Sequence, residues 1–117
     1  MHIAVIVISL VLALFLTFLG VSKLLGTKSS RAITDHLDVS VPLSKAIGVA
    51  ECAAALGFIG AALSITAAGI AAAIGVCILM LGALVFHIRA GDKPKDLAPA
   101  VVVEALSLVV LVSLALG

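Results

Sequence analysis

Three side chains that can hold or pass a proton interrupt stretches of this sequence that are otherwise apolar: Glu51, His87 and Glu104. An ionisable group at the centre of a lipid-embedded helix costs about 3 kcal/mol or more, so each needs a partner or a task. Two cations, Lys23 and Arg89, stand at the edges of the same stretches. Brought together, the five groups offer two kinds of chemistry. As a ligand or proton site, the carboxyl pair away from water would hold a proton, because dehydration and like charge both oppose a second negative charge. Such a cluster would take a polar headgroup, a quinone ring or a lipid head, with the tail running between helices. As a structural knot, Lys23 or Arg89 would neutralise a Glu and fix helix register. Both readings stand at this level. A metal held by His87 and the two Glu is a minor third use of the residues. A bis-histidine haem does not fit, because His2 and His36 fall outside the apolar stretches. His36 reads as a solvated loop residue.

The elements that would position these groups follow from length and hydropathy. The chain has 117 residues, one domain over 1–117; it is 64% apolar and 11% charged. A soluble domain is about half apolar and a quarter charged, and so short a chain cannot bury that excess inside itself. A membrane-spanning helix needs about 20 apolar residues. Runs at 3–22, 46–65, 68–88 and 98–117 satisfy that length. The first is read as a retained span, since no Lys or Arg precedes it and no small-residue cleavage site follows. The break between the second and third is expected in Ser64–Gly69, and Pro99 is expected in the first turn of the last helix. Residues 30–38 suggest a short interfacial helix capped by Ser30, with Arg31 and Asp35 paired four residues apart and Ile33 and Leu37 on one face.

All seven Lys and Arg lie in, or at the edges of, the two loops that join spans one to two and three to four. The bias of basic residues toward the cytoplasm then places both loops there and both termini outside, in a bacterial inner (plasma) membrane. A rise of 1.5 Å per residue puts Glu51, six residues beyond Lys45, and Glu104, seven beyond Leu97, roughly 10 Å from the cytoplasmic edge, with His87 roughly 3 Å in. Small residues in spans two and three (Gly48, Ala55, Gly57, Gly60, Gly69, Ala73) point to a tight hairpin, and the bulkier spans one and four would wrap around it or face lipid and partner subunits. The fold class is an all-α integral membrane four-helix bundle. Cys52 and Cys77 fall on different spans without a C-x-x-C spacing and read as packing thiols. A net charge of +1 gives no footprint for nucleic acid.

Three segments in order resemble one family. Gly20-Val-Ser-Lys23-Leu24-Leu-Gly26 closes span one, Ile47-Gly48-Val-Ala-Glu51 opens span two, and Phe86-His87-Ile-Arg89-Ala-Gly91-Asp92 closes span three. They are similar to the DoxX-like family of small four-span membrane proteins, over nearly the whole chain. The resemblance implies a polar cluster near one membrane face with Lys23, Glu51, His87 and Arg89 as its signature positions. It also implies an association with membrane redox assemblies, including a subunit of a thiosulfate–quinone oxidoreductase, or a role as partner of larger membrane proteins. From the residues themselves, no Ser-His-Asp set, phosphate loop or zinc spacing marks an enzyme. The function expected is an accessory subunit of a larger inner-membrane complex, redox or lipid-transporting, binding a quinone or lipid at the polar cluster. The alternatives are a stand-alone quinone- or lipid-binding redox protein and a small proton-coupled transporter. Membrane lipid and either a larger complex or further copies of the chain are the expected partners. The transporter is held back by the expected depth of Glu51 and Glu104, too close to one face for a mid-membrane proton carrier.

Overall fold

A computed structural model describes residues 3–117. Five helices follow in order: α1 (Ile3–Leu25), α2 (Lys28–His36), α3 (Val41–Ala62), α4 (Thr66–Arg89) and α5 (Pro94–Leu116). All except α2 are long and apolar enough to cross a membrane. At 1.5 Å per residue their 22 to 24 residues reach about 33–36 Å, enough for a hydrocarbon layer about 30 Å thick. The chain is thus a multi-pass membrane protein built as a four-helix bundle, with α2 as a short element at one end.

Local chemistry moves the helix ends away from the expected boundaries. The second span starts at Val41 rather than 46, because the Ser40 hydroxyl accepts from the Leu43 amide and Pro42 suits a first turn. It stops at Ala62, so the far turn is Leu63–Ile65 and α4 begins at Thr66. The last helix starts at Pro94, a turn ahead of expectation. There the Lys93 amide donates to Asp96 Oδ2 at 3.0 Å, and Pro99 lies inside the helix instead of opening it. In α2 the cap is Thr27, whose hydroxyl accepts from the Ser30 amide, and not Ser30. Arg31 does not pair with Asp35; its Nε donates to the Gly26 carbonyl at 3.2 Å. Ile33, expected to share a face with Leu37, points outward, and Thr34 is the buried residue of α2.

The first four helices end alike. After each, one residue takes a left-handed backbone (Gly26, Asp38, Ser64 and Gly91), and the next amide reaches back to a carbonyl five residues earlier, as Thr27 N does to Ser22 O. Each sharp reversal satisfies the last carbonyls within a few residues, so the helices can stand antiparallel on short connections.

Around the bundle the neighbours run α1, α3, α4, α5, with α1 meeting α5 along a narrower strip. Leu12, Leu16, Phe58, Val76 and Val110 fill the centre. The α3–α4 hairpin is close-packed: a Cβ on Gly57 would stand 2.6 Å from Ala72 Cβ, and one on Gly69 2.7 Å from Ala61 Cβ. The broadest helix pair, however, is α1 with α3. A Cβ on Gly20 would stand 2.7 Å from the Gly48 carbonyl oxygen, and one on Gly48 2.9 Å from that of Gly20. The first span is therefore not a wrapping around the hairpin. It packs backbone to backbone on α3, as helices in lipid do when small residues let them approach.

Candidate functional site

The close α1–α3 crossing creates the setting for Glu51. Lys23 lies three residues past Gly20 and Glu51 three past Gly48, and the Lys23 stem runs against Gly48, its Cβ 3.1 Å from where a Gly48 Cβ would stand. Lys23 Nζ ends 2.8 Å from Glu51 Oε1. Glu51 is among the most buried side chains of the chain, while Lys23 keeps 21% of its side chain exposed. Such a pair holds two helices in register more than it adds stability, because both charges have left water.

His87 and Arg89 do not join this pair. His87 Nδ1 lies 2.5 Å from Asp92 Oδ2, and His36 Nε2 lies 2.5 Å from Asp92 Oδ1. One carboxylate, with only 8% of its side chain exposed, is thus held between two imidazoles. His36, read as solvated, pins α2 to the loop between α4 and α5. The contact also puts the two basic loops at the same end of the bundle, called here the basic end. Arg89 is exposed and makes no ion pair or side-chain hydrogen bond among the described residues.

Glu104 occupies a third place. Ala61, Gly69 and Leu114 meet near the end opposite the basic loops. Glu51 precedes Ala61 by ten residues, and Glu104 precedes Leu114 by ten, so both carboxyls lie about 15 Å from that contact. Glu104 is the eleventh of the 23 residues of α5, but Lys95 and Asp96 lie in the first turn, so it stands eight residues, about 12 Å, past the last charge, close to its expected level. Glu51 and Glu104 nevertheless occupy different seams. The charged side chain that acts on Glu51 is Lys23, whereas Glu104 lies beside the Cys77 thiol of α4. Glu104 is partly exposed, and its Oε2 is buried without a hydrogen-bond partner among the described residues.

The five expected residues therefore divide into a buried ion pair (Lys23, Glu51), a histidine–carboxylate bridge (His87), an exposed cation (Arg89) and a partly exposed carboxyl within α5 (Glu104). No group of three or more His, Cys, Asp or Glu among the described residues is placed to hold a metal ion. Asp92 is the residue that sequence reasoning missed. Its five-residue spacing from His87 across a helix end was a legible signal; its contact with His36, 56 residues away, was not.

Hydrogen bonds from His87 and then His36 hold the Asp92 carboxyl below its ordinary value of 3.8. A carboxyl depressed in the folded state contributes fully above its ordinary value and loses that contribution as pH falls through the folded one. Spin labels on residues 29 and 95 should accordingly report one fixed separation from neutral pH down to about 4 and a broadened distribution only in stronger acid. Asp92→Asn should broaden it already at neutral pH. An unchanged distribution in that variant would show that the bridge does not hold α2.

Among known proteins, the profile of the DoxX-like family matches residues 7–110. No curated protein and no solved structure matches the chain.

Proposed function

This chain belongs to the DoxX-like family, and from that premise we propose that it is an accessory subunit of a larger membrane complex, redox or lipid-transporting, in a bacterial inner membrane with its basic end in the cytoplasm. The observation that carries the reading is Glu104. A partly exposed carboxyl inside an apolar span, with one oxygen buried and without a partner among the described residues, is costly toward lipid. A polar side chain on a helix of another subunit, docked along the α4–α5 seam, relieves that cost. Lys23 and Glu51, by contrast, neutralise each other and serve the chain's own packing. Apolar side chains cover the outward faces of all four spans, Leu14, Leu56, Ile78 and Val109 among them, so lateral contact with other helices is open on every side.

Gentle extraction from the native membrane tests the proposal. The chain should leave the membrane in a defined assembly with the same partner chains in repeated preparations, and Glu104→Leu should release it as a free bundle of unchanged stability. A wild-type chain that always emerges alone would overturn the reading.

The partly exposed carboxyl of Glu104, unpaired among the described residues, also leaves a second reading, a proton-coupled transporter with this carboxyl as carrier. The two part in liposomes: a carrier dissipates an imposed pH gradient and loses that ability in Glu104→Gln, while an accessory subunit leaves the gradient intact.

A further inference from the structure

A cleft opens at the basic end where the last turn of α1, the start of α2 and the start of α3 meet. Lys23, Ser30, Arg31, Thr34, Ser44 and Lys45 line it. It encloses ≈ 20 Å³, room for one water-sized group with its mouth open above it. The charged residues in its walls are all cations. Lys23 is already matched by Glu51, so Arg31 and Lys45 leave the cleft two positive charges in excess.

The hydroxyls point the same way. Thr34 Oγ1 is used, donating to the Arg31 carbonyl at 3.1 Å. Ser44 is only 6% exposed, lines the cleft, and its hydroxyl has no hydrogen-bond partner among the described residues. The Ser44 hydroxyl is not sealed off; it opens to the cleft and is free to donate to a group that enters it. Arg31 is already positioned, because its Nε donates to Gly26 O and leaves the two terminal nitrogens of the guanidinium free. Gly26 needs to be glycine for its φ of +64°, and its position leaves the Arg31 guanidinium close against it. Ser30 stands in the first turn of α2, where the helix dipole favours an anion.

We propose that this cleft binds the phosphate of an anionic lipid headgroup. One phosphoryl oxygen enters toward Ser44 and Lys23, and the others stay at the mouth against Arg31 and Lys45. Arg fits such oxygens through two parallel N–H donors, with Lys as a point charge beside it. The position supports a lipid source over a free ion. The cleft lies at the ends of two membrane-spanning helices, the level at which basic pockets between spans meet headgroups. The site stands whether or not the chain works inside a larger complex.

The test uses the purified full chain in an uncharged detergent. Thermal stability is titrated with short-chain phosphatidylglycerol, short-chain phosphatidylcholine and inorganic phosphate. Phosphatidylglycerol should stabilise in a saturable way, and the other two should not do so at matched concentration. Lys45→Gln should weaken binding about fivefold, the effect of one cation near a headgroup. Ser44→Ala should weaken it without lowering the melting temperature of the lipid-free chain. Lys95→Gln, which removes a cation from the other basic loop, should leave it unchanged. Equal stabilisation by phosphatidylcholine or by inorganic phosphate would overturn the assignment to an anionic lipid. Equal losses in Lys95→Gln and Lys45→Gln would reduce the site to diffuse surface charge and overturn it too.

Discussion

Replacing Lys23 with methionine is expected to destabilise the bundle by about 3–5 kcal/mol, the cost of stranding one charge of a buried pair. The lower end of that range applies, because the Lys23 side chain keeps 21% of its surface exposed and some water reaches it. The loss should come from the abandoned carboxylate, not from the missing amine. Lys23→Met combined with Glu51→Leu should therefore recover most of the stability, since a well-packed apolar pair often replaces a buried ion pair without loss. Reversible unfolding of the purified chain in mixed micelles measures all the variants. If Lys23→Met melts like the parent, the contact at 2.8 Å does not organise α1 against α3. If the double variant is as unstable as the single one, the lysine acts through its stem packed on Gly48 and not through its charge.

The second large effect is expected at the crossing that makes this contact possible. A Cβ on Gly20 would stand 2.6 Å from Cys52 Sγ and 2.7 Å from the Gly48 carbonyl oxygen. The thiol can turn aside, but the carbonyl belongs to a helix backbone and moves only if α3 moves. Gly20→Ala should thus cost about 1–3 kcal/mol, as overpacking does, and Gly20→Val more. Gly82, on α4, is the control: nothing lies within 4 Å of its would-be Cβ. Gly82→Ala should be neutral or stabilising by up to about 1 kcal/mol from helix propensity alone. The Gly20 and Lys23 substitutions should also couple. Once α1 has moved off α3, the ion pair is already weakened, so the double variant Gly20→Ala/Lys23→Met should lose less than the two single losses combined. Strict additivity would mean that the crossing and the ion pair are separate features.

The same two features show how the candidate site was legible and how it was not. Lys23, Glu51, His87 and Glu104 stood out because ionisable residues in apolar runs are conspicuous in one dimension. Their grouping was not. Lys23 and Arg89 close two different spans and looked interchangeable as partners for Glu51; the Gly20–Gly48 approach brings the lysine stem onto Gly48 and its amine to Glu51, while Arg89 stays exposed at the end of α4. Pro99 reads as a first-turn residue, whereas the helix opens at Pro94 with Asp96 capping it. His36 appeared idle because its partner lies in the other loop.

The sequence by itself determined the membrane class, the four spans and the separation of basic loops from apolar runs. These follow from the length of hydrocarbon to be crossed and from the cost of placing charge within it, and both act on each segment independently. It also carried the family resemblance, because the three segments keep their order along the chain. Tertiary structure alone decided which helix lies against which, that α1 shares its broadest face with α3, which cation serves Glu51, and that Asp92 bridges His36 and His87. Lipid tails are as apolar as the side chains they touch, so burial does not choose the neighbours of a spanning helix. That choice falls to the few places where backbones can come close, and residues such as Gly20 acquire meaning only when the helix opposite presents its own glycine.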